Sequence, residues 1–351
     1  MDLCVSGRHV ITTSAQQDDV NDSKFQTFPP IVIRGQAAPP SLGDIAMAVR
    51  VVLRPWPHVI PRNTRGKSGQ AAASSAVYCA ELVRKRDYEG FLCTLLLPPA
   101  SRDSIFALRA FNVELSQVKD SVSQKNLGLM RMQFWRETID EIYNERPPHH
   151  PVALELSKAV HKHKLTKRWL SRVIDEREKN LDDRAYRNIK ELETYAENTQ
   201  SSLLYLTLET LGIRDVHADH AASHIGKAHG IITCLRAVPF HSSRRQVFLP
   251  VDICILHGAS QEDFIRGSQE RNVKDVIFDI ASQAHVHLEH ARSFQNKVHK
   301  AAFPAFNITV PLDGFLKRLR KSDFNIFHPS LQRRDPWLPL SLYIQFWRKI
   351  Y

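Results

Sequence analysis

Histidine is the side chain here best suited to chemistry near neutral pH, and three of the 17 in this chain stand at His217, His220 and His224. Spacings of three and four put them on one helix face beside Asp219, an arrangement by which imidazoles can bind a transition metal. No glutamate base or further ligand accompanies them as in a metalloprotease helix. Exposed or hydrogen-bonded helix histidines are therefore the simpler reading, and no metal or cofactor is expected. His285, His287 and His290 have mixed spacing and His149-His150 sit between prolines, so both groups are expected at the surface. Nucleophilic hydrolysis lacks a G-x-S-x-G elbow. Nucleotide binding lacks both G-x-x-x-x-G-K-[ST] and G-x-G-x-x-G. The mixed-charge run Asp175 to Asp183 reads as a solvated helix end. Arg84-Lys85-Arg86, Arg244-Arg245 and Lys317 to Lys321 are basic clusters without interleaved aromatics, which is no nucleic-acid signature. Anionic phospholipid is the more economical partner.

The elements that would position such groups read as helices. The chain has 351 residues, 43% hydrophobic and 24% charged, which excludes a wholly disordered or collagen-like protein. Its 13 glycines are about half the usual share, against a barrel or sandwich built on Gly-rich turns. The five cysteines form no C-x-x-C pair and suit a reducing compartment. Residues 1–46 are read as a disordered leader, acidic at first and proline-rich at its end. Residues 47–76 contain no acid but carry Arg50, Arg54, Arg62, Arg65 and Lys67, a composition like a mitochondrial transit segment. Import reads the extreme N-terminus, so a chain begun at Met47 is expected at the mitochondrial inner membrane and one begun at Met1 in the cytoplasm. The remaining body, 77–351, is basic within a total charge of +11. Amphipathic helices are predicted over Tyr78 to Leu97, from Ser101 to the end of the Leu115 stripe, Leu127 to Ile142, Pro151 to His163, Lys167 to Asn180, Ile189 to Leu211, His217 to Arg236, Gln261 to Arg266, Asn272 to Lys300 and Leu338 to Tyr351. Leu127, Met130, Phe134, Trp135, Ile139 and Ile142 are expected to form one core stripe. The fold class is all-α, in one helical domain. The last segment, Trp337 to Tyr351, is apolar and aromatic with a basic end, fitting either a membrane interface or a core contact.

The stretch from Gly226 through Arg236 to Phe248-Leu249-Pro250 resembles the second signature of the squalene/phytoene synthase family. There G-x-A-x-Q-x-x-N-x-x-R-D is followed by x-x-x-D and a loop ending Tyr-Leu-Pro. Ile105 to Asp120, with Arg131-Met-Gln-Phe-Trp135 after it, is similar to the family's first aspartate-rich helix. Glu191-Leu-Glu-Thr-Tyr195 to Leu211-Gly212 is similar to its central Leu-x-x-Tyr helix. The similarity spans about Tyr78 to Tyr351 and implies an isoprenoid synthase bundle around a deep apolar cavity.

In active members of that family, paired aspartates on facing helices hold the Mg²⁺ ions that neutralise a diphosphate leaving group. Carried onto this sequence, the second pair falls on Ala237 and His241, the amide on Thr233 and the glutamine on Gly230, while Arg236 is kept. The first pair falls on Ser116 and Asp120, or on Asn112 and Ser116, according to the alignment. At most one carboxylate survives in the first motif and none in the second, so the resemblance implies a pseudoenzyme. The pocket lining is expected from Phe111, Leu115, Tyr195, Leu203, Ile231, Cys234 and Arg236, with an apolar lipid as a possible ligand. Arg109-Ala-Phe-Asn-Val-Glu114, Tyr195-Ala-Glu-Asn-Thr-Gln200 and Phe327-His-Pro-Ser-Leu331 resemble the branch of the family that assembles mitochondrial respiratory complex I. That branch implies complex I assembly intermediates as partners, in particular the module of the first membrane subunit, at the matrix face of the inner membrane. Two alternatives stay open: a prenyl diphosphate transferase with metal ligands relocated to Glu114 and Asp120, and a lipid- or RNA-binding helical protein.

Overall fold

The computed structural model describes residues 67–122 and 124–351, with side chains from 74 onward. The leader expected over 1–46 lies outside the described residues, as does most of the transit-like segment. Its last residues already belong to the first helix, α1 (Lys67–Arg86). Every regular element among the described residues is helical.

Helix starts follow local chemistry. After α1, Asp87 leaves the helical region at φ −133°, ψ 64°, and its carboxylate accepts from the Gly90 amide at 3.0 Å, opening α2 (Tyr88–Leu95). The single helix expected over Tyr78 to Leu97 is thus two. Helix α3 (Pro99–Ser121) and α5 (Pro151–His163) start with proline in the first turn, where its missing N–H costs no intrahelical bond. Between them runs α4 (Lys125–Tyr143), and after them α6 (Lys167–Lys179). Asn188 caps α7 (Ile189–Ala196), which passes through a wide π turn (Glu197–Ser201) into α8 (Ser202–Thr210). Asp215 caps α9 (Val216–Ser242) by accepting from the amides of His217 and Ala218. Short helices α10 (Val251–Leu256) and α11 (Gln261–Ile265) follow, then α12 (Arg271–Ser293), a 3₁₀ segment (Lys300–Phe306), α13 (Thr309–Lys321), α14 (Pro329–Gln332) and α15 (Leu338–Arg348).

Helices α10, α13 and α14 were not expected; two are under eight residues and α13 carries Pro311 and Gly314 in what reads as a loop. Helix α9 continues six residues past Arg236, through Pro239. A proline removes one i→i−4 bond, but Val238 and Ser242 on either side of it are buried and hold the helix in place.

One core packs α1, α3, α4, α5 and α6, with Phe106, Phe111, Leu115, Trp135, Ile139 and Leu156 all buried. A second packs α2, α8, α9, the 3₁₀ segment, α13 and α15 around Ala218, Ala222, Ile225, Phe303 and Phe306. The stripe expected on α4 divides: Trp135, Ile139 and Ile142 are buried, whereas Leu127, Met130 and Phe134 are exposed. These three lie on the opposite side of the helix from Met132 and Trp135, where Phe134 meets the His150 ring edge-on with ring centres 6.1 Å apart.

Candidate functional site

Helices α3, α6, α7 and α9 converge on a cavity of about 530 Å³. The positions that the resemblance assigns to the two metal motifs meet there. Asn112, Ser116 and Asp120 recur every four residues on α3, and Thr233, Ala237 and His241 every four on α9; all six line the cavity. His241 joins them only because α9 runs on past Pro239. Of the expected lining, Leu115, Tyr195, Cys234 and Arg236 are in the wall. Phe111 and Ile231 are fully buried instead, Phe111 edge-on to Trp135 with ring centres 5.3 Å apart. They occupy the core faces of their helices, and half-buried Leu203 on α8 also lies outside the wall.

The wall mixes apolar side chains with paired charges. Arg177 of α6 donates to Asn112 Oδ1 at 2.6 Å and to the Tyr195 hydroxyl at 3.2 Å. Arg109 donates to Asp87 at 2.7 Å, so one carboxylate caps α2 and ties it to α3. Arg236 donates to Glu89 at 2.6 Å and to the Pro311 carbonyl at 3.1 Å, and stacks 4.8 Å over Phe315. Lys119 donates to the Asp182 carbonyl at 2.8 Å and lies 4.1 Å over the Phe248 ring; burial pulls its pKa down despite neighbouring Asp183. His241 stands edge-on to the same ring at 4.7 Å, and burial lowers its pKa, which favours the neutral imidazole.

The Mg²⁺ ions that the synthase architecture implies do not fit this donor set. Ala237 offers no ligand atom, neutral His241 is a poor one for so hard an ion, and the Asn112 oxygen is taken by a guanidinium. Asp120 is the one carboxylate of the six, half-exposed and 3.7 Å from Arg244. Glu114, its alternative partner, accepts from the Tyr78 hydroxyl at 3.4 Å and is not in the wall. Arg109, Lys119, Arg177 and Arg236 thus line the cavity together with Asp87, Glu89 and Asp120.

Backbone geometry closes the glutamine position as well. At Gly230 an added Cβ would stand 2.3 Å from the Cβ of Ala196, and at Gly226 one would stand 2.5 Å from the backbone of Ser201. The wide turn presses α7 and α8 onto α9 at these two glycines. Half-buried Glu197 anchors the contact, accepting from Ser223 at 2.6 Å, Tyr205 at 2.7 Å and Ser201 at 3.0 Å. Burial alone would raise its pKa, but these donors outweigh burial and hold it below the usual carboxylate value.

Sequence reasoning missed Arg177 and Lys119. Arg177 lies in the run read as a solvated helix end, and its partner Asn112 is 65 residues away. In that run Asp175 and Glu178 bridge to Arg136 of α4, while buried Glu176 accepts from Asn198 at 2.7 Å. The histidine set separates in the same way. His217 and His220 stack on Phe294, and His224 Nδ1 is 2.9 Å from His287 Nδ1, whose ring also reaches Glu193 at 3.2 Å. Among the described residues no group of three or more His, Cys, Asp or Glu side chains could hold a metal ion.

The family model for squalene/phytoene synthase matches residues 83–340. Relatives named as assembly factor 6 of NADH dehydrogenase (ubiquinone) complex I are similar over most of their length. The one from Homo sapiens is 67% identical over 312 residues, 89% of this chain and 93% of its own, and the one from Bos taurus is 69% identical over 290 residues, 83% and 87%. Among solved structures, a dehydrosqualene synthase in complex with a ligand superposes with a TM-score of 0.71 at 16% identity, covering 80% of this chain and 97% of that one.

Proposed function

This chain belongs to the squalene/phytoene synthase family, and since Arg177 donates to Asn112, a position that the resemblance assigns to a metal motif, we propose that it is a non-catalytic member that assists assembly of respiratory complex I. The observation carrying the non-catalytic half is the Arg177–Asn112 contact inside the cavity, together with Ala237 opposite. Ionising an allylic diphosphate needs electrophilic help, and the ligands for that help are gone. The assembly half rests on similarity to the relatives that bear that name over about nine-tenths of their length. On this reading the protein works at the matrix face of the mitochondrial inner membrane, attached peripherally, on intermediates that contain the first membrane subunit. No helix among the described residues is long and apolar enough to cross a membrane, which accords with peripheral attachment. The cavity is then free to hold an apolar lipid or to remain as a rigid core.

The test is rescue of cells lacking the endogenous protein, comparing residues 47–351 with the full chain and reading assembled complex I on native gels. Restoration by the shorter chain supports the reading. Failure of the shorter chain, despite confirmed import into the matrix, refutes it. Mg²⁺-dependent release of diphosphate from farnesyl or geranylgeranyl diphosphate by the purified protein would favour the synthase reading instead.

A further inference from the structure

Helix α15 carries apolar side chains on both of its long faces. Its inner face buries Leu338 and Leu342, and Gln345 donates to Thr309 of α13 at 3.1 Å. Just beyond the helix, Tyr351 is buried between Phe303 and Phe306, with ring centres at 5.0 and 4.8 Å. The helix is thus held at both ends. On its outer side Trp337, Leu340, Ile344 and Trp347 follow at spacings of three, four and three, one continuous stripe. Trp337 is 69% exposed and Trp347 49%, with Phe346 and Ile350 also exposed beside them. A helix facing water puts its charges on this side. This one carries a single charge there, Arg348, four residues after Ile344 at the edge of the stripe, and no acid occurs from Pro336 to Tyr351. Basic residues flank the stripe, Arg333 and Arg334 before it and Lys349 after it, all exposed.

We propose that the outer face of α15 is the surface by which the protein docks on an anionic phospholipid bilayer, its tryptophans seated at headgroup level and its flanking cations on lipid phosphates. The inference rests on the peripheral attachment proposed above and names the element responsible for it. Tryptophan is suited to the role, since its indole is apolar with one polar N–H and favours the interface over either phase. Absence of acid matters equally, because an anionic surface repels carboxylates and attracts each nearby Lys or Arg by about fivefold in affinity. Exposed Leu127, Met130 and Phe134 on α4 make a contrasting patch, interleaved with Arg131, Gln133 and Glu137. Its mixed charge does not match a lipid surface. The preceding segment and first turn of α15 contribute Arg334, Asp335 and Leu338 to the cavity wall, so docking this face would bring the cavity alongside the membrane.

The experiment is flotation of the purified full chain with vesicles of phosphatidylcholine alone and of phosphatidylcholine mixed with phosphatidylglycerol. The wild type is expected to float with the anionic vesicles. Trp337→Ser combined with Trp347→Ser is expected to weaken that binding by about tenfold or more. Arg333→Gln with Lys349→Gln is expected to weaken it by about 25-fold on anionic vesicles alone. All four side chains are exposed, so circular dichroism and melting temperature should match the wild type. Wild-type protein that fails to float overturns the proposal, as does undiminished binding by folded tryptophan variants. So does a wild-type dimer that these variants convert to monomers, since the stripe would then be a contact between copies. Vesicle binding needs no complex I, so this result and the rescue result can fail independently.

Discussion

Gly230→Ala tests the closed crossing at the old active site directly. The new Cβ would stand 2.3 Å from the Cβ and 2.8 Å from the Cα of Ala196, where ordinary contact is 3.4–4 Å. Neither neighbouring atom is the end of a flexible side chain, so α7 and α9 must move apart by about 1 Å, taking the Glu197 anchor with them. Such overpacking costs about 3 kcal/mol, the upper end of its usual range, because backbone has to shift. Alanine recovers about 1 kcal/mol over glycine through helix propensity. The net loss is about 2 kcal/mol, a fall in melting temperature of roughly 3–4 °C at about 2.1 cal/mol/K of unfolding entropy per residue. Thermal unfolding followed by circular dichroism reads it. Gly212→Ala is the control, since Gly212 has φ +73° with open space around it and alanine there pays only left-handed strain, about 1 kcal/mol. A melting temperature for Gly230→Ala equal to or above that of the wild type would refute the close crossing.

Two further outcomes follow from the same site and its neighbours. Asn112→Asp puts a carboxylate against Arg177 at the present 2.6 Å contact and should raise stability by about 0.5–1 kcal/mol. Its melting temperature should not respond to Mg²⁺, and a Mg²⁺-dependent rise would show that the arginine does not exclude the metal. Burial lowers the His224 and His229 pKa values from 6.5 to about 4, helped at His224 by His287 and His290 and at His229 by Arg109 and Arg236. The unfolded chain therefore binds more protons than the folded one between these values. Stability should be full above about pH 6.5 and fall as pH drops towards 4, as read by urea unfolding across that range. His224→Gln should make the fall shallower, and an unchanged slope would refute the buried neutral histidine.

Local chemistry written in the sequence determined most of the helices and the donor types present in the cavity. Pro151 with the apolar spacing after it defined α5 to the residue, because a first-turn proline and a 3.6-residue period are properties of the segment itself. That Ala237 and His241 are poor Mg²⁺ ligands could likewise be read without a structure, since coordination chemistry depends on donor type. The outward turn of Leu127, Met130 and Phe134 could not, because periodicity reports an apolar stripe but not whether another element covers it. Nor could the extension of α9 through Pro239, which depends on burial of Val238 and Ser242 by other helices. Arg177 shows the same limit: only the packing of α6 against α3 brings it to Asn112, 65 residues away in the chain. Residue types could say that Asn112, Ser116, Ala237 and His241 are not carboxylates; only the tertiary structure sets a guanidinium against Asn112, because through-space neighbours are set by packing and leave no local trace.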